Sequence, residues 1–271
     1  GGFIAHNAPL PYVFFIPAGI LALFAILDFL LVRDSPLAAG LGDFDTGDAS
    51  SGDDGPRLPV FVVIKKMLRD PIILTIALVE FCSGYLRDSI TQWYNKFAAA
   101  TGHIGFVTHH FGMLTCTAGI AAGVVAGIIS DRVFNSRRGP VATVLYIALL
   151  CSTLVMLALL TSPALGFIAI GIFMFVIGVH GMLSGTASMD FGGKKNAGVA
   201  VGIIDGFVYF GVATSAKVLG WVLPTGDAAK AASNWWTWPV VMTPVAVIGL
   251  VLASRLWNAK PKPQGAAPAA H

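Results

Sequence analysis

Arg87 lies within residues 78–93 (LVEFCSGYLRDSITQW), deep inside a segment long and apolar enough to cross a lipid bilayer. A guanidinium cannot shed its charge, so burying it there costs about 2.5 to 3.5 kcal/mol unless it faces a cavity or a partner. Its planar fork holds phosphate or carboxylate through two hydrogen bonds, which makes an anion the first ligand to consider. Two carboxylates are placed to offset the charge when no anion is bound. Glu80 precedes Arg87 by seven residues on the same helical face, the spacing of a structural ion pair, and Asp88 is adjacent. Asp205 and Lys217 share another apolar segment. They stand 12 residues apart, roughly 18 Å along a helix, so they cannot pair directly and each needs another partner. His109, His110 and His180 lie in or near apolar segments, either to couple protonation to an anion or as satisfied core histidines. Cys82, Cys116 and Cys151 fall in none of the spacings used by zinc or redox sites and read as small core residues. No metal or cofactor motif is present.

The elements that position these residues are membrane helices. Hydrophobic residues make up 56% of the chain and charged residues 11%, with a mean hydropathy of +0.78, values outside the range of soluble domains. Apolar runs of about 20 residues separated by short polar breaks predict helical spans rather than alternating barrel strands. Seven are predicted, at 12–32, 72–97, 106–129, 141–160, 165–184, 197–223 and 238–256. If they alternate in direction, 13 of the 17 Lys and Arg fall on one side, so that side and the C-terminus are expected to be cytoplasmic. The net charge of +3 reflects this asymmetry and gives no reason to invoke nucleic acid.

Residues 33–70 form the one clear linker, with a Gly, Asp and Ser-rich middle (GDFDTGDASSGDDG) that cannot bury itself. From Val60 the pattern changes. Val60, Phe61, Ile64 and Leu68 share one face and Lys65, Lys66 and Arg69 the other, which reads as a surface-lying amphipathic helix or as a plain basic flank. Gly119, Gly123 and Gly127 recur every four residues in the third span, as do Gly198, Gly202 and Gly206 in the sixth. Such ladders suit close static packing, and they suit moving helices equally.

Between the third and fourth spans, GIISDRVFNSRRG places Asp131 and Arg132 at one helix end and Arg137 and Arg138 at the start of the next. This resembles the cytoplasmic loop signature of the major facilitator superfamily, in which Asp and Arg groups bridge helix ends and help latch a gate. FIPAGILALFAILDFLLVRDSPLAAGL resembles helix six of the organophosphate:phosphate antiporter family. The second span resembles helix seven, with Arg87 at the position of that family's phosphate-binding arginine and Trp93 at its tryptophan six residues on. VGIIDGFVYFG resembles helix eleven, with Tyr209 at an aromatic position before a glycine, and its Ile-Ile-Asp-Gly is similar to eukaryotic sugar-phosphate exchangers of the family.

The resemblance implies an all-α membrane protein with the major facilitator fold, of which this chain supplies seven transmembrane helices. Residues 1–32 would be the last helix of an N-terminal bundle missing here. Residues 33–70 would be the cytoplasmic central loop with its interfacial helix, 71–258 the C-terminal six-helix bundle, and 259–271 a cytoplasmic tail. It further implies no enzyme activity but a secondary transporter in a bacterial inner membrane, exchanging an organophosphate such as glycerol 3-phosphate or a sugar phosphate for inorganic phosphate by alternating access. Arg87 would bind phosphate opposite an arginine of the missing bundle. Tyr85, Trp93 and Tyr209 are expected cavity walls, and Asp205 and Lys217 secondary polar contacts. Lys217 resembles a lysine of the hexose-phosphate branch, or else reaches for the outer interface. Asp131, Arg132, Arg137 and Arg138 are the expected gate residues. Gln92 stands where the family usually has Asp, and Thr115 to Thr117 where Glu or Tyr is common, which leaves the organic part of the substrate open. A membrane sensor for sugar phosphate with the same fold, or a proton-coupled transporter of another organic anion, are the alternatives.

Overall fold

The computed structural model of the protein describes residues 4, 7–33, 38–41, 59–187, 190–191 and 196–259. The acidic middle of the linker, Arg57, Lys194, Lys195, Lys260, Lys262 and nearly all of the tail lie outside the described residues.

The described residues form helices α1 (Tyr12–Leu31), α2 (Val60–Met67), α3 (Pro71–Thr91), α4 (Trp93–Thr101), α5 (Phe106–His109), α6 (Phe111–Val133), α7 (Arg138–Ala158), α8 (Leu165–His180), α9 (Ala197–Val222) and α10 (Thr237–Arg255). Among the described residues six stretches, Tyr12–Leu31, Phe111–Val133, Arg138–Ala158, Leu165–Gly185, Ala197–Val222 and Ala232–Arg255, are long and apolar enough to cross a membrane. α3, which covers most of the second span expected from the sequence, has 21 residues but is not among the six, because it carries Glu80, Arg87 and Asp88. α1 belongs to a unit of its own, and none of its residues is buried within that unit. Its exposed Phe14, Phe15, Leu21, Phe24 and Phe29 need lipid or another protein surface to cover them.

In the second unit α3 is the central helix. It packs most extensively against α9 and also against α10 and α8. Its start is well specified, because Pro71 occupies the first helical position and the Asp70 side chain accepts from the amides of Ile72 (2.8 Å) and Ile73 (3.3 Å). The helical course resumes after Gln92 as α4 and stops at Gly102, whose φ of +73° is the left-handed stop glycine allows. Two polar anchors fix α3 against its neighbours: Tyr146 of α7 donates its hydroxyl to the Val79 carbonyl (2.7 Å), and Trp238 of α10 donates its indole N–H to the Ser89 carbonyl (2.9 Å).

The close approach of α3 to α9 rests on glycines outside the two ladders. A Cβ on Gly84 would overlap the Val208 carbonyl, and one on Gly211 would overlap the Phe81 carbonyl, so each helix presses a glycine onto the other's backbone. Around Gly123, Gly127, Gly198, Gly202 and Gly206 a Cβ would meet nothing within 4 Å, and at Gly119 it would only touch Phe173 and Ile177 at 3.7 Å. The ladders therefore do not support close packing within this unit. α2 also departs from the sequence pattern: Val63 and Met67 are its buried residues, packed with Ile73 and Ala200, while Phe61 and Leu68 are exposed beside the basic side chains. The pattern grouped residues by a face three or four apart, but contact with α9 chose the neighbouring stripe. Of the cysteines only Cys82 is in the core; Cys116 and Cys151 face outward.

Candidate anion site and the basic-end ion-pair cluster

Arg87 sits on α3 between the buried Leu86 and Asp88 and is itself only half-buried. Its guanidinium lies over the ring of Tyr209 from α9, 5.9 Å from the centroid. Among the described residues it makes no hydrogen bond and no ion pair. A charged fork stacked on an aromatic face keeps its N–H donors free, so this arginine is available to an anion in a way that an ion-paired one is not.

Glu80 does not offset it. The Glu80 carboxylate, fully buried, is paired with His180 of α8, Oε2 to Nδ1 at 2.9 Å, and its Oε1 has no partner. This corrects the ion pair expected within α3: seven residues put Glu80 and Arg87 on one face, but α8 supplies a nearer cation-capable group. His180 ends α8 where the chain becomes a π-helical turn, Gly181–Ala187, a geometry frequent at functional sites. Ser184 of that turn donates its hydroxyl to Asp205 of α9. Arg87 and Asp205 are the other charges within electrostatic reach of the His180 ring.

The structure thus brings Arg87, Tyr209 and Asp205 to one region, together with Glu80, His180 and Ser184. Tyr85 is buried in the interhelical core instead. Trp93 lies beyond the irregularity at Gln92, with the Lys96 ammonium 4.0 Å from its ring centroid. Lys217 is exposed, its ammonium 5.0 Å from the Trp221 ring centroid, one turn further along α9 and away from Asp205. His109 and His110 lie at the junction of α5 and α6 and do not reach Arg87's surroundings; the His110 ring bonds the Phe106 carbonyl at 2.9 Å.

A second cluster forms at the Lys and Arg-rich end. The turn between α6 and α7 reverses through Asn135 (φ +52°) and Ser136 (φ +60°), a left-handed pair uncommon outside glycine and worth about 1 to 3 kcal/mol of strain per residue. What holds it is polar contact. Ser136 donates to Asp131 (2.9 Å), and Arg138 donates to the same Asp131 oxygen (3.1 Å) and to the Ser130 hydroxyl (2.8 Å). Asp190 closes the cluster, its Oδ2 3.7 Å from Arg138 Nε. Burial pushes the Asp190 carboxyl above its ordinary range, while Arg138 pulls it the other way. Arg137 donates to the Phe134 carbonyl (3.2 Å), and Arg132 is exposed. Nothing in the sequence marks Asp190, which lies 52 residues from Arg138 in a Gly and Lys-rich stretch with no motif spacing. His180 is visible in the sequence as a titratable residue, but its partner, 100 residues away, leaves no local signal. Among the described residues no three His, Cys, Asp or Glu side chains converge to hold a metal ion.

Comparison with known proteins adds the following. A family profile described as Major Facilitator Superfamily matches residues 1–216. The chain is similar to the glycerol-3-phosphate transporter of Bacillus subtilis, 26% identical over 255 residues, 91% of this chain and 56% of the relative. It is also similar to the membrane sensor protein UhpC of Salmonella typhimurium, 30% identical over 218 residues, 76% of this chain and 47% of the relative. A probable hexose phosphate transport protein of Chlamydia pneumoniae is 28% identical over 195 residues, 69% of this chain and 40% of the relative. The chain therefore spans about half the length of the curated relatives it matches.

Proposed function

The chain belongs to the Major Facilitator Superfamily, and on that premise we propose that it is part of a secondary transporter exchanging an organophosphate for inorganic phosphate. The observation that carries this reading is Arg87: a permanent cation on α3, stacked on Tyr209, whose guanidinium makes no salt bridge or hydrogen bond among the described residues, with the adjacent Asp88 within electrostatic reach only. Similarity to relatives named for glycerol 3-phosphate and hexose phosphate transport supports phosphate as the anion and a phosphorylated small molecule as the counter-substrate.

In this reading the phosphate group sits in the fork of Arg87 near the membrane midplane, opposite an arginine from a companion bundle of the full-length protein. Asp205, held by Ser184, supplies a polar wall, and no covalent bond is made or broken. Residues 71–258 form the C-terminal bundle, 33–70 the central loop, and 1–32 the last helix of the companion bundle. The basic end faces the cytoplasm, and the membrane is a bacterial inner membrane. The gate at that end is the cluster of Asp131, Arg138 and Asp190, closed when the bundles rock one way and released when they rock the other. The open glycine stripes of α6 and α9 suit surfaces that slide against a second bundle rather than pack permanently.

Reconstituting the full-length protein in liposomes loaded with phosphate tests the reading. External labelled glycerol 3-phosphate or hexose phosphate should accumulate only when phosphate is inside, and uptake no faster than in empty vesicles would refute it. The similarity to a membrane sensor protein favours a second reading, in which the same site binds sugar phosphate and reports occupancy without translocation. Phosphate binding without exchange would select that reading.

A further inference from the structure

We propose that His180, oriented by Glu80, is a second anion contact of the Arg87 site and that it makes anion binding depend on a proton held at its Nε2. The inference rests on the reading of Arg87 as an anion ligand and adds a residue and a protonation requirement to it.

The geometry comes first. Glu80 is fully buried and uses one oxygen for His180 Nδ1 at 2.9 Å. A buried carboxylate next to Nδ1 fixes the hydrogen on that nitrogen and holds the ring in one orientation. The other nitrogen, Nε2, then points away from Glu80, and the half-exposed side chain has no second protein partner among the described residues. Arg87 lies about 10 Å further along α3 at its Cα, but helical side chains lean toward the N-terminus of their helix, which brings its guanidinium back toward the level of Glu80 and His180. The electrostatic reach between Arg87 and the His180 ring agrees with that.

The proton requirement follows from the tautomer. With Nδ1–H committed to Glu80, a neutral ring offers only a lone pair at Nε2, and a lone pair repels the oxygens of a dianion. Two arrangements remove the repulsion. Either Nε2 takes a proton from water and donates to the anion, or the anion carries its own proton and donates it to Nε2. Both place one proton between ring and ligand. Phosphate can supply it, whereas sulfate, a dianion of the same shape with no proton to give, must find it on the protein.

The surrounding groups leave His180 as the site of that proton. From α3 it meets Glu80 and Arg87, and from α9 Asp205, which accepts from Ser184. From α7, Tyr146 lies near Glu80, but its hydroxyl is committed to the Val79 carbonyl. Cys82 lies beside Glu80 and is buried in the core. α6 has no titratable residue between Cys116 and Asp131, and α10 has none before Arg255.

The test is sulfate binding to the purified full-length protein in detergent, measured by calorimetry between about pH 6 and pH 8, where imidazole titrates. Wild-type affinity should fall by about tenfold per pH unit above the ring's titration. His180→Gln should bind with a flat pH dependence, and Glu80→Gln, which removes the charge that favours a protonated ring, should begin its fall at lower pH. The inference is overturned if wild-type sulfate binding is independent of pH, or if His180→Gln keeps the wild-type dependence. Should His180→Gln fail to insert, Glu80→Gln decides alone: an unshifted profile refutes the inference. Failure of the transport reading shows separately, as wild-type liposomes that do not exchange phosphate at all.

Discussion

Arg138 and Arg87 are half-buried arginines in the same helical bundle, and they are partnered in opposite ways. Arg138, at the basic end, contacts Asp131, Asp190 and the Ser130 hydroxyl. Arg87, inside α3, has an aromatic ring beneath it and, among the described residues, no carboxylate in salt-bridge contact with it. The difference separates two uses of one side chain. A guanidinium with its carboxylates in place spends its donors on holding helix ends together; one left with free donors in an apolar span is held ready for something that arrives. The same contrast holds for glycine, where Gly84 and Gly211 meet backbone and the ladder residues meet open space.

Replacement of the two arginines should separate these uses most sharply. Arg87→Gln should reduce phosphate exchange by about a hundredfold or more, since a charge-assisted hydrogen-bond pair is lost, while membrane insertion stays normal by protease protection. Arg138→Gln should leave phosphate binding within about threefold of wild type and instead change the accessibility of a cysteine introduced on the basic side, because a solvent-contacting ion-pair cluster contributes roughly 1 kcal/mol. Equal loss of phosphate affinity in both variants would erase the distinction.

The glycines give the next largest effects. Gly84→Ala or Gly211→Ala should lower the thermal midpoint markedly, by a destabilisation of about 1 to 3 kcal/mol, because the neighbour is backbone and cannot rotate away. Gly202→Ala should leave that midpoint nearly unchanged and reduce exchange only if a second bundle slides across this stripe. The smallest effect concerns Asp190. Its carboxyl titrates above the ordinary range when folded, so its contribution to stability is fully present below the unfolded value and is lost as pH rises through the folded one. Against Asp190→Asn, wild type should therefore lose thermal stability as pH rises upward from the ordinary carboxylate range, by about 1 kcal/mol or less.

Much of this was legible in the sequence, for a physical reason. A bilayer demands about 20 apolar residues per helix, so each span announces itself locally, and an arginine inside one stands out against that background. The turn containing Asp131 and Arg138 is legible too, because both partners lie within a few residues of one another. Pairings that depend on which helices touch are not. Glu80 lies on the right face for Arg87, yet α8 brings His180 closer; Val63 rather than Phe61 packs inward on α2 because α9 lies on that side; and Asp190 reaches Arg138 from a stretch without a motif. Periodicity reports the face of a helix but not its neighbour. Gly84 and Gly211, isolated in sequence, carry the closest helix contact for the same reason.

The most direct test of the central claim, that Arg87 is the anion ligand, is equilibrium binding of inorganic phosphate to the purified full-length protein, comparing wild type with Arg87→Lys. Lysine keeps the charge and loses the fork, so the account expects saturable binding in wild type and a loss of at least about tenfold in the variant. Wild-type affinity in Arg87→Lys would contradict it and place the anion elsewhere in the bundle.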